Sequence, residues 1–332
     1  MPLIFKERNI KDHIKNVPMS DQLKEAPASE KYARYLPSKE EIIRIAELIE
    51  RFSGMKVDEK VKRGEIEVKF ISSRNLRKER LNDELSACDR MNLEPRIYNK
   101  VKHRIKNVSG TPLQSRLAYF EPKNNTIYVL YDNFDKLIKE ESLAYVKAGI
   151  IDGKIERHFF RKTADAKSTE EIEKFVVRDV LSHELTHQIF AGNNPQYQKT
   201  VLETDERAFK LFSETVKAEA NKDYEKLKEL STEVESNNDH ATALHIYREA
   251  IACSVTHNVM YELGFRIPAD VRMARLPPQY KKGISFLDEI NRATGQNPIT
   301  FTMHDPPQSM REIENPELYI RRVKREVWAT LD

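Results

Sequence analysis

An α+β fold is what this sequence predicts, and three observations carry the prediction. Residues 64–71 and 117–131 hold short runs with the alternation and β-branched content of strands. Residues 168–190 read as an apolar helix that carries His-Glu-x-x-His. Beyond residue 196 the periodic stretches are all helical. The expected organisation is an N-terminal arm or cap over residues 1–37, an α/β unit over 38–195 and a mostly helical unit over 196–332.

Composition bounds the rest. A chain of 332 residues can form one large or two medium domains around a substantial core. Lys and Arg exceed Asp and Glu by 56 − 53 = 3. Such a near balance argues against a nucleic-acid surface or a binder of anionic membranes. No run approaches the roughly 18 apolar residues of a membrane span, and the opening residues lack the apolar core of a secretory signal. Only Cys88 and Cys253 are present, so no disulfide framework is available. A cytoplasmic, reducing compartment is the expectation.

In chain order, Ser38 to Arg51 predicts an amphipathic helix. Ser38 and Glu41 form a capping box, and Ile42, Ile45, Ala46 and Ile49 supply the buried face. Gly64 to Ile71 alternates apolar and charged residues, the period of a half-buried strand. Residues 75–92 return to a charged helical pattern ending near Pro95. Residues 117–120 and 127–131 flank a polar turn and predict a β-hairpin. Residues 133–167, with Gly149, Gly153 and a basic stretch, look like a surface insertion.

The helix that follows organises the chain. Ser168 and Glu171 suggest its capping box, and Gly192-Asn193-Asn194-Pro195 its stop. His183 and His187 stand one turn apart on one face, where two imidazoles can share one metal. Glu184, about 100° round the helix, can reach a water on that metal. The alternative is a His pair that merely packs in a core. The apolar surroundings, from Phe175 to Phe190, weigh against it, since buried His and Glu side chains need partners that a metal supplies.

Thr200 to about Ser236 predicts a long charged helix, and His240 to Gly264 the next. The latter is apolar most of the way round, as suits an interior helix, yet Thr242, His245, Glu249 and Thr256 form one polar stripe. Pro268, Pro277 and Pro278 mark a loop, residues 283–294 a short helix, and Pro316 to Thr330 a final one. Zinc with two His ligands needs a third protein ligand. Glu203, Asp205 and Glu206 lie 16, 18 and 19 residues beyond His187, and Glu249 lies 62 beyond. Burial favours Glu249, because a carboxylate on an interior helix requires a cation nearby. Glu203 and Glu206 read as solvated charges, and Asp205 as a group behind a ligand.

His183-Glu184-Leu185-Thr186-His187 together with Glu249-Ala250-Ile251-Ala252 resembles the gluzincin superfamily of zinc metallopeptidases. A closer similarity is to uncharacterised prokaryotic members. It rests on Tyr280 to Leu287, Pro306-Pro307-Gln308-Ser309-Met310-Arg311-Glu312 and Asn315-Pro316-Glu317-Leu318-Tyr319. Those relatives tend to carry Gly after the ligand Glu and His-Pro where Asn315-Pro316 stands, and this chain differs at both. The resemblance covers roughly residues 117–319. It implies a zincin-like fold with a small mixed sheet, and an active site between the α/β and helical parts. It further implies zinc held by His183, His187 and Glu249, with Glu184 as general base and a protein or peptide as substrate. His245, Tyr319 and His304 are candidates for stabilising the tetrahedral oxyanion. In zinc peptidases the strand beside the active helix often lies at a sheet edge, where a peptide can add by main-chain hydrogen bonds. The alternatives are a zincin scaffold without turnover, which an intact Glu184 argues against, and a zinc hydrolase of a non-peptide amide. Oligomeric state is not legible in the sequence.

Overall fold

The computed structural model describes residues 37–89, 95, 98–99, 102–103, 118–121, 126–140 and 166–329. The expected N-terminal arm up to residue 36, the hairpin turn at 122–125 and all but the last two residues of the basic stretch over 154–167 lie outside the described residues. The first helix, α1 (Lys39–Ser53), begins with the expected capping box. The Glu41 amide donates to Ser38 Oγ at 3.2 Å, and the Ser38 amide donates to Glu41 Oε2 at 3.0 Å. A short α2 (Glu59–Lys62) is capped by Asp58. Next come β1 (Glu67–Ile71), α3 (Ser73–Asp89), β2 (Ala118–Glu121) and β3 (Thr126–Leu130).

The three strands form a mixed sheet in the order β1-β3-β2. β1 runs parallel to β3, with Val68 opposite Ile127, and β2 runs antiparallel to β3, with Tyr119 opposite Tyr128. Parallel pairing requires a crossover, and the long segment containing α3 makes it. After β3 the chain turns at once into a helix, α4 (131–140), which takes in the start of the surface insertion expected over 133–167.

The helix α5 (Ala166–Asn193) starts two residues before Ser168, which therefore lies within its first turn rather than at its cap. Its end is as expected. Asn194 leaves helical geometry and accepts from the Tyr197 amide, and Pro195 opens α6 (Pro195–Asn221). The break after α6 lies at Lys222, which takes the left-handed conformation at φ 56°, and at Asp223, which caps α7 (Tyr224–Glu262) by accepting from the Lys226 amide. The boundary expected near residues 236–240 is thus absent. The charged part of the 200–236 pattern belongs partly to each arm of a helical hairpin with a two-residue turn. The core at its tip is Leu211, Ala218 and Leu230.

α7 is 39 residues long and packs against α1, α5, α6, α8 (Arg266–Ala274), α9 (Pro278–Thr294) and α11 (Met310–Glu314). Its second half is buried round most of its circumference between Ala243 and Met260, with Asn258 exposed and His245, Arg248 and Glu249 half-buried. Pro268 sits in the first turn of α8, where amides lack helical partners anyway, and Pro277-Pro278 opens α9 rather than marking a loop. α10 (Pro298–Thr302), α11 and α12 (Pro316–Ala329) complete the described residues. The principal core runs from Ile42 of α1, through Ile127, Phe175 and Leu185, to Tyr247, Phe286 and Tyr319, so it spans both expected units. Among the described residues no helix is long and apolar enough to cross a membrane.

Candidate metal centre

On α5 the side chains of Val180, Leu181, Leu185, Ile189 and Phe190 are buried, and Ser182 and Thr186 have no exposed surface. Between residues 180 and 190 the half-buried positions are His183, Glu184, His187 and Gln188. The i, i+4 spacing thus leaves one partly open stripe on an otherwise buried helix. α7 crosses α5 there and presents Glu249. Small neighbours (Ala250, Ala252 and Cys253, all buried) keep the α7 surface low around the carboxylate.

The three side chains converge. Nε2 of His183 and Nε2 of His187 are 3.1 Å apart. Glu249 places Oε2 3.3 Å from His183 Nε2 and Oε1 3.6 Å from His187 Nε2. All three donor atoms lie within 4.8 Å of one another, and all three side chains are between 11% and 13% exposed, enough for access without full hydration. Among the described residues this is the group of His, Cys, Asp and Glu side chains that could hold a metal ion. Two nitrogens and a carboxylate suit zinc. Bonds of about 2.0–2.1 Å to a tetrahedral ion leave its ligand atoms about 3.3–3.4 Å apart.

The electrostatics point the same way. Burial opposes a charge on His183, but the Cys253 thiol and the Glu249 carboxylate beside it outweigh burial and hold the ring well above its ordinary 6.5. Burial likewise favours a neutral Glu249, but His187, His183 and Arg248 overcome it and hold that carboxyl well below its ordinary 4.5.

This chain matches no protein-family model, no curated protein and no solved structure.

Of the other residues singled out in the sequence, His245 lies beside the group. Its Nδ1 is 3.6 Å from Glu249 Oε1, and its Nε2 is 3.2 Å from the Tyr280 hydroxyl. Tyr319, one of the three candidates for an oxyanion donor, is a core residue with no exposed surface. Its ring packs against Phe286, and its hydroxyl donates to the Asp305 carbonyl at 2.7 Å. His304 is exposed. Glu203 and Glu206 are exposed on α6, and Asp205 is half-buried there; none belongs to the converging group.

Two neighbours of Glu249 had no role in the sequence reading. Arg248 donates to Glu249 Oε1 at 3.4 Å, although consecutive residues on a helix usually diverge. Tyr280 was visible only as the start of a motif-bearing stretch. Its one local signal is its place three residues before Gly283, on the same face of α9.

Proposed function

We propose that the protein is a zinc-dependent peptidase with His183, His187 and Glu249 as ligands and Glu184 as general base. The observation that carries this reading is the convergence of the His-Glu-x-x-His pair with a buried carboxylate from α7, at spacings that suit a tetrahedral ion. Zinc at that position supplies Lewis-acid activation of a water molecule and of the carbonyl it attacks. Glu184 adjoins His183 on the half-buried stripe, so its carboxylate can accept the proton of the attacking water and pass it to the leaving amine. The purely structural role is less apt, because a closed structural site has no use for a base beside a ligand.

The small sheet of the α+β fold also offers a place for a peptide substrate. Among the described residues β2 stands at one end of the sheet order and packs on α5, the helix that carries His183 and His187, so an extended chain can add at that edge. Metal analysis combined with cleavage of an unbiased peptide library tests the proposal. The wild type should hold about one zinc per chain and cleave peptides. Glu184→Gln should keep the zinc and lose hydrolysis by about 10²–10⁴-fold, since it removes proton transfer but not coordination. Normal turnover by Glu184→Gln would sink the assignment of the base, and full zinc occupancy in a His183→Ala, His187→Ala double variant would sink that of the site.

A further inference from the structure

Glu249 does not face the two histidines alone. Its Oε1 also receives the Arg248 guanidinium at 3.4 Å and faces Nδ1 of His245 at 3.6 Å. The His245 ring is held in turn from the far side. Its Nε2 lies 3.2 Å from the Tyr280 hydroxyl, and the two rings meet edge to face at 5.8 Å and 74°. Carboxylate, imidazole and phenol therefore form a line from the candidate metal ligand to α9.

What brings α9 close enough is Gly283, one turn beyond Tyr280. A Cβ built there would stand 2.7 Å from the Ala250 Cβ and 3.0 Å from both Cγ2 and the carbonyl oxygen of Ile246. Those two residues adjoin Glu249 and His245 on α7. The helices thus touch backbone to backbone at the level of the site, and Tyr280 is delivered against His245 by that contact.

From this geometry we infer that His245, Arg248 and Tyr280 are positioning residues that orient the Glu249 carboxylate towards the metal, and that α9 sets metal affinity through Tyr280. The inference rests on the proposed ligand role of Glu249. It gives His245 a task different from contact with the reacting carbonyl. Ligating carboxylates held by such partners lose about 10–100-fold in metal affinity when a partner is removed.

The test is zinc affinity, measured by competition with a chromogenic chelator, for the wild type, Tyr280→Phe, His245→Gln and Glu203→Ala. The visible spectrum after cobalt substitution, and the unfolding midpoint without metal, are recorded in parallel. Tyr280→Phe and His245→Gln should each weaken zinc by about 10–100-fold and shift the cobalt bands, with the metal-free midpoint of Tyr280→Phe close to wild type. Glu203→Ala should match the wild type throughout. Wild-type zinc affinity in both Tyr280→Phe and His245→Gln would overturn the inference while leaving the ligand assignment intact. A His245→Gln chain that binds zinc normally but has lost turnover would also overturn it, and would move His245 to the reacting carbonyl. Absence of zinc binding by the wild type itself would instead remove the metal reading and this inference with it.

Discussion

Glu249 is held towards its charged form by His187, His183 and Arg248, and His183 by Cys253 and Glu249, each against the penalty of burial. The consequence for stability has a definite sign. His183 is held above 6.5, so its contribution is full below 6.5 and is lost as pH rises through the raised value. Glu249 is held below 4.5, so its contribution is full above 4.5 and is lost as pH falls through the lowered value. Their joint contribution should therefore be greatest between these two ordinary values. Unfolding midpoints of the chelator-treated wild type and of Glu249→Gln, compared across pH, check it: the gap should be widest in that window and shrink on both sides. Zinc bound as proposed should reverse the alkaline trend, because binding would displace the His183 proton and strengthen as pH rises. At this scale the sequence was informative where helical spacing alone sufficed, as for His183, Glu184 and His187. It was silent on Arg248 and Tyr280, whose relevance depends on where two other helices cross.

At the scale of elements, the same substitution should act with opposite sign at two glycines. In Gly283→Ala the new methyl meets the Ala250 Cβ at 2.7 Å and the Ile246 carbonyl at 3.0 Å. Neither can swing aside, so overpacking of about 1–3 kcal/mol outweighs the roughly 1 kcal/mol that alanine gains in a helix. In Gly192→Ala nothing lies within 4 Å of the new Cβ, and the position is helical, so stability should rise by about 0.5–1 kcal/mol. Denaturant unfolding of both variants checks the pair. The elements were legible where local chemistry punctuates the chain: Ser38 and Glu41 cap α1, and Asn194-Pro195 separates α5 from α6. The α6–α7 break was missed because Lys222 adopts a left-handed conformation without being glycine, and the charged pattern continues across it. Proline misled in the other direction. Pro277-Pro278 reads as a loop, yet a proline in the first helical turn begins α9.

At the scale of the whole molecule, the candidate ligands come from α5 and α7, which also share the principal core with α1, β3 and α9. An ion bound by both helices therefore acts as a tertiary cross-link. Free zinc at about 100 times its dissociation constant should stabilise the chain by about 2.7 kcal/mol. Chelation should lower the unfolding midpoint reversibly, and His183→Ala should abolish the zinc-dependent part. The C-terminal segment braces this arrangement from outside. Arg322 joins Glu312 at 2.7 Å and Asp305 at 2.5 Å, while the Gln308 carbonyl lies 2.8 Å from Nδ1 of His240 on α7. Tyr319 joins that brace by donating its hydroxyl to the Asp305 carbonyl, while its ring packs in the core.

The sequence by itself determined the α+β character, an interior α7, the metal-ligating potential of His183 and His187, and the preference for Glu249 over the acids of α6. Each follows from periodicity or from the cost of burying a charge, and these act within one element. The tertiary structure alone decided that the strands order as β1-β3-β2, that Glu249 reaches both histidines, that Tyr319 faces the core and that Tyr280 stands behind His245. These depend on distances between residues far apart in the chain. Such distances are set by how closely helices can approach, as at Gly283, and no local pattern encodes which helix will be on the other side.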